Sequence, residues 1–299
     1  MRIDLSWADS LHTDPFLNDI FSIAFVRGVE PLDALRRIGG HPDTLAERTP
    51  EDIVDLFDFD HGYPSVASVL GLGEWTVLLQ PNSWEVGHLA DALSRRTEAV
   101  SVTRHDYASP SFTHAVDGRI VTSLDPSYPY APSVADPERM LPLLRRAGFY
   151  PFDDEDENAQ IDHPIARALR LAFLLTGVLP DLEQLTEPLP SMHFDSWFAR
   201  PRPYRTESDP LGEAVSIAAE LGLSDTPGLA EALAAARRGE PVVVAQDSEL
   251  GGHVREWLKF SRLGSWSLNS ARSRMTEEER RFATRHGWLL NALQCAFQP

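Results

Sequence analysis

The stretch SFTHAVDGRIVTSLD, residues 111–125, holds two alternating runs on either side of Asp117-Gly118. A two-residue hairpin turn needs a backbone that tolerates positive φ, and Asp-Gly adopts it at little steric cost. The stretch is therefore a β-hairpin. Alternation puts Phe112, His114 and Val116 on one face of its first strand. On the second strand Ile120, Thr122 and Leu124 share one face, and Val121 and Ser123 the other.

The hairpin has company. IFSIAFVRG (20–28), SVASVLGL (65–72), EWTVLLQ (74–80) and AVSVTRH (99–105) are rich in β-branched and aromatic residues and are bounded by turn formers. Between them lie short helices. EPLDALRRIGG has proline near its first turn, arginines near its end and Gly39-Gly40 to stop it. TPEDIVDLFDF has Thr49 as its N-cap, Pro50 at the first helical position and acids in the first turn. In SWEVGHLADALSRR (83–96), Val86, Leu89 and Leu93 fall at helical spacing. Short strands, a hairpin and interspersed short helices predict an α+β domain with a largely antiparallel sheet.

FSIAFVRGVEPLDALRRIGG, GEWTVLLQPNSWEV and AVSVTRHDYASPSFTHAVDGRIVTSLDP together resemble a family of uncharacterised bacterial proteins, common in actinomycetes, whose domain has no known function. The matching segments lie within about residues 5–180. The resemblance implies a shared fold and carries over no catalytic residue. Residues 200–299 lie outside it.

The pattern changes along the chain. Residues 1–180 read as an acidic α+β domain, 181–210 as a proline-rich aromatic linker and 211–299 as a helical C-terminal region. Within the first, DHPIARALRLAFLLTG predicts a helix capped by Asp162, with Ile165, Leu169 and Phe173 on one stripe and Gly177 at its end. In the linker, WFARPRPYR sets three arginines among Trp197, Phe198 and Tyr204, an arrangement suited to tying it to the acidic domain. Near the end, Thr276 and Glu279 have capping-box spacing before a last helix.

Charge is uneven. Residues 200–299 hold 13 acids and 13 bases, so the whole −18 falls on residues 1–199, where 32 acids face 14 bases. A surface of that sign repels nucleic acid, whose phosphates need Lys and Arg in place of their counterions. It attracts a basic protein. The densest run is Asp153, Asp154, Glu155, Asp156 and Glu157, the segment expected to meet such a partner. No apolar run is long enough to span a bilayer. No signal peptide is apparent at the N-terminus, and the single cysteine, Cys295, cannot form an internal disulfide. A cytoplasmic protein without membrane association is expected.

Chemistry-bearing motifs are sparse. There is no GxSxG, no GxxxxGK[ST], and no HExxH or CxxC. Cys295 sits in an apolar helical pattern, a packing position for a thiol. Asp58, Asp60 and His61 in DFDHG, with His105, Asp106 and His114 on neighbouring strands, supply metal-ligand types without metal-ligand spacing. No metal and no cofactor is expected. Trp75 alternates into a strand buried on both faces, whereas Trp84 follows a turn, where it either caps the sheet's edge or lines a pocket. Trp84, His105 and His114 are the candidate ligand-binding residues. The reading that follows is a non-enzymatic interaction protein that binds a basic partner, in the manner of toxin-neutralising proteins. The alternative is a metal-dependent hydrolase or small-ligand domain using His61, His105 and His114.

Overall fold

The apolar and alternating runs become strands: β1 (Ile20–Arg27), β2 (Ala46–Arg48), β3 (Ser65–Leu72), β4 (Trp75–Pro81), β5 (Glu98–His105), β6 (Ser111–Val116), β7 (Arg119–Leu124), β8 (Ser133–Val134) and β9 (Leu189–Phe194). The computed structural model describes residues 4–10, 17, 19–130, 132–150, 162–199, 209–267 and 274–297. Its strands form one sheet in the order β2-β9-β3-β4-β1-β5-β6-β7-β8, with every neighbouring pair antiparallel. The sheet is the α+β, largely antiparallel one that the pattern predicts.

Helices interleave with the strands: α1 (Pro31–Arg37), α2 (Pro50–Asp55), α3 (Ala90–Leu93), α4 (Pro137–Ala147), α5 (Pro164–Thr176) and α6 (Leu182–Thr186). One face of the sheet carries the row Leu79, Ile23, Val102, Phe112, Leu124, matched strand to strand by register. These side chains are buried with Met140 and Leu144 of α4 and Ile165, Ala168 and Leu169 of α5 in one core cluster. Phe173 is only half-buried; the fully buried stripe of α5 continues instead through Ala172 and Thr176.

The other face mixes small and polar residues, Ser22, Ser101 and Thr103 among them, with apolar ones such as Ala24, Val26 and Leu78. There Ser22 and Thr103 share a 3.1 Å hydrogen bond and Ser101 donates to the Gly87 carbonyl at 2.8 Å, while on the Leu79 face Ser68 and Ser191 meet at 2.7 Å. Those bonds satisfy hydroxyls that burial would otherwise leave unpaired. Close cover comes from α1, α3 and the 3₁₀ turn Val86–Leu89. That turn and the four-residue α3 divide the segment whose spacing predicts one helix. Cover on both faces explains why β4 is buried along its whole length and shows no alternation.

The hairpin forms at Asp117 and Gly118, with φ of 50° and 77°, the two positive values a type I′ turn requires. Its register slips between His114 and Ala115, so that Ile120 pairs with Ala115 and is 57% exposed. The extra residue, Val121, is a β-bulge, and it removes Ile120 from the face that strict alternation assigns it with Thr122 and Leu124. Leu189–Phe194, inside the segment read as a linker, is β9; it pairs with β2 and β3.

The chain divides into two units. The first comprises residues 1–55 and 65–194, and the second comprises Leu56–Pro64 and Asp195–Pro299. The second holds α7 (Ser196–Ala199), α8 (Pro210–Glu220), α9 (Leu229–Arg237), α10 (Glu249–Ser267) and α11 (Glu277–Ala296). Thr276 and Glu279 form the expected capping box on α11. Trp197 donates to the Leu290 carbonyl at 3.0 Å, and both Trp197 and Phe198 pack on the core of this helical unit. The arginines that follow them in WFARPRPYR lie outside the described residues. No helix among the described residues is long and apolar enough to cross a membrane.

Candidate functional site

At one end of the sheet the N-terminal segment, the C-terminal end of β5, the loops after β5 and β7, and the start of α5 enclose a cleft of about 730 Å³. Its charged lining is Asp9, Asp106, Asp125, Asp162 and Arg104, with His105 and His163 among the remaining residues. The cleft lies within the first unit.

Arg104 shapes one wall. Its register on β5 places it on the α4–α5 face beside Phe21 of β1, and it is 4% exposed. Burying a guanidinium requires partners for its donors. Asp106 takes a two-pronged pair, Nε to Oδ1 at 2.9 Å and Nη2 to Oδ2 at 2.8 Å. The Nη1 group donates to the carbonyls of Ala8 at 3.2 Å and Ser10 at 2.9 Å. The cleft's arginine is thus neutralised by a carboxylate and fastens the N-terminal segment to the sheet. Trp7, 5.8 Å ring to ring from Phe21, anchors the same segment in the core.

The start of α5 forms the opposite wall. His163 precedes the helix with φ 55° and makes no side-chain cap. The cap is Asp9, whose Oδ1 and Oδ2 accept from the amides of Ile165 at 3.0 Å and Ala166 at 2.8 Å. Asp162, read from the sequence as the cap, lines the cleft instead.

Beside the cleft two aromatic rings pack against His105. Asn82 turns the chain after β4 with φ 51°, and Trp84 emerges 40% exposed, its ring 5.0 Å from that of His105. Tyr107 also lies against His105, 6.4 Å away and edge to face. The Tyr107 amide donates to His105 Nδ1 at 3.3 Å, and the Tyr107 hydroxyl to Asp19 Oδ2 at 2.7 Å. By accepting a hydrogen bond from the phenol, and by its negative charge, that carboxylate holds the Tyr107 hydroxyl above its usual pKa.

The sequence-named residues therefore part company. Trp84 and His105 come together; His114 does not join them. It stands opposite Val100, on the α4–α5 face, while His105 shares the other face with Ser101 and Thr103. His114 is buried and bonds through Nε2 to Glu98 Oε1 at 2.8 Å, and that bond lowers the Glu98 pKa. Its Nδ1 is buried without a partner. His61 belongs to the second unit, bonded to Asp58 at 2.8 Å, with Asp60 paired to Arg274 at 2.6 Å. Among the described residues no group of three His, Cys, Asp or Glu is placed to hold a metal ion. The acids at 153–157 lie outside the described residues.

Asp9, Arg104, Tyr107 and Asp125 carry no signal of their own in the sequence: the first three act through partners distant along the chain, and Asp125 sits in a loop that only the fold brings to the cleft. The alternating run ending RHDY was the only local signal, marking where β5 gives way to a loop.

Residues 2–187 match the family of unknown function DUF6461, and the chain belongs to that family. This agrees with the resemblance carried by the segments within residues 5–180. No curated protein and no solved structure matches the chain.

Proposed function

We propose that this member of DUF6461 is a non-catalytic interaction protein whose first unit takes a cationic segment of a protein partner into the cleft. One observation carries the reading. Of the cleft's four carboxylates Asp106 pairs with its one arginine and Asp9 caps α5, which leaves Asp125 and Asp162 to meet a cation. The field inside is negative, and a polar cleft focuses that field on an incoming cation. The charge of the chain points the same way, since the net −18 falls on the residues before 200. The five acids at 153–157 precede Asp162, a cleft residue, in the sequence. Holding a basic protein without acting on it is the role of a neutralising protein. The histidines required by the hydrolase alternative lie on opposite faces of the sheet and, for His61, in the other unit.

The test uses the full chain and a lysine-rich peptide in titration calorimetry. Binding should weaken steeply from about 50 to 500 mM salt, as the Debye length falls from above about 10 Å to a few Å. Asp125→Asn with Asp162→Asn should weaken it at low salt, because neither carboxylate holds the arginine or caps α5. Salt-independent binding, or none, overturns the reading.

A further inference from the structure

The row Trp84, His105, Tyr107 is an exposed apolar surface with a charged surround. Trp84 is 40% and Tyr107 76% exposed, and each stands against the His105 imidazole. Rings of this size ordinarily bury most of their area. Tyr107 is held in its exposed position at two points, by its hydroxyl on Asp19 and its amide on His105. The charge beside the rings is a carboxylate: Asp19 accepts the Tyr107 hydroxyl, while Arg104 is turned inward onto Asp106, 4% exposed.

Few occupants suit such a place. An apolar side chain would strip water from the carboxylate and leave its charge unpaired. A nucleobase would stack on the rings, but its phosphates would meet like charge. An ammonium group is compact and strongly hydrated, and makes poor use of a flat ring. A guanidinium is planar and weakly hydrated; it stacks on aromatic faces while its edge donates to carboxylates.

We propose that the Trp84–His105–Tyr107 row is the docking surface for an arginine side chain of the basic partner, stacked on the exposed rings with its N–H edge toward Asp19. The assignment rests on the cationic-segment reading and adds to it a preference for arginine over lysine. Cleft carboxylates attract either cation. The rings choose between them.

The experiment compares two dye-labelled peptides of equal length and charge, one with arginines and one with lysines, binding to the full chain by fluorescence anisotropy. The arginine peptide should bind roughly fivefold or more tightly, the scale of one partly desolvated cation–π contact. Trp84→Leu and Tyr107→Leu, each shown folded by circular dichroism, should remove that preference and leave lysine-peptide affinity unchanged. Equal affinity for the two peptides overturns the arginine assignment and leaves the acidic-cleft reading standing. A preference that survives both substitutions also overturns it, since the rings then do not select. Failure of both peptides to bind overturns the two readings together.

Discussion

The carboxylate of Asp9 closes the N-terminus of α5, with Oδ2 accepting the Ala166 amide at 2.8 Å from 157 residues away in sequence. A helix start leaves several amides without intrahelical partners, and an anion there also complements the helix dipole. The residues flanking Asp9 are the two whose carbonyls Arg104 holds. One short segment therefore joins the end of β5 to the start of α5, and the space between those elements is the cleft.

Asp9→Ala should accordingly lower stability by about 1–2 kcal/mol, the cost of losing an N-cap. Asp162→Ala, at the position the sequence suggested for the cap, should change it by less than about 0.5 kcal/mol, as exposed surface substitutions do. Urea unfolding of the two variants measures both. Equal losses would mean that the helix is capped locally after all.

The two tryptophans of GEWTVLLQPNSWEVG should behave oppositely. Trp75 is 3% exposed and belongs to the main core cluster, so Trp75→Ala should cost about 3–5 kcal/mol. Trp84 stands half in solvent against His105, and Trp84→Ala should cost no more than about 1 kcal/mol. Trp75→Phe should be milder than Trp75→Ala, because it keeps most of the volume and removes an indole N–H that is buried without a partner. Thermal melts of the three variants give the ranking, and a large loss at Trp84 would place it in the core.

Local chemistry decided what the sequence revealed. Asp117-Gly118 forces its own turn, and Thr276 with Glu279 closes a capping box within a single turn of helix. Both were legible because the interacting atoms are neighbours along the chain. The slip at Val121 was not, since a bulge is fixed by pairing with β6 and leaves the alternation of letters intact. Leu189–Phe194 was hidden for a similar reason: its prolines and polar residues suit a linker, and only β2 and β3 on either side make it a strand. The site was the least legible part. Asp9 and Arg104 are ordinary residues in sequence, and their roles come from the carbonyls and amides that the fold brings to them. Trp84, His105 and His114 drew notice by residue type alone, and only the register shows that His114 and His105 lie on opposite faces.

Two glycines should respond to alanine with opposite signs. At Gly87 a Cβ would overlap Thr103 Oγ1 and approach Ser22 Oγ to 3.2 Å, in the layer where the 3₁₀ turn lies against the sheet. Gly87→Ala should destabilise by about 1–3 kcal/mol, the usual cost of overpacking. Gly252 lies inside α10 with open space around it, so Gly252→Ala should stabilise by about 0.5–1 kcal/mol through helix propensity. Chemical denaturation of both, compared with the parent chain, reads the two signs. A neutral Gly87→Ala would mean that the turn does not press on Thr103.

Acid should weaken the helical unit through His286. The imidazole is 2% exposed on α11, 5.4 Å from the Phe260 ring and 4.6 Å from the Phe282 ring, with Nδ1 at 3.0 Å from the Phe282 carbonyl. Burial disfavours the charged ring and lowers its pKa below the ordinary 6.5, an effect only partly offset by the bond to that carbonyl. The folded state thus binds its proton at lower pH than the unfolded state does. Above about pH 6.5 neither form is protonated and the stability is fully present. As pH falls through that value the unfolded chain takes up the proton first, and stability declines until the folded pKa is reached. His286→Phe keeps a ring between Phe260 and Phe282 and removes the titration. Urea unfolding at pH 7.5 and 5.5 should show a loss in the parent chain that is smaller in the variant, and the His286 ring protons should titrate by NMR with a midpoint below 6.5. A midpoint at or above 6.5, or an equal loss in both chains, would show that burial at this position does not set the response to acid.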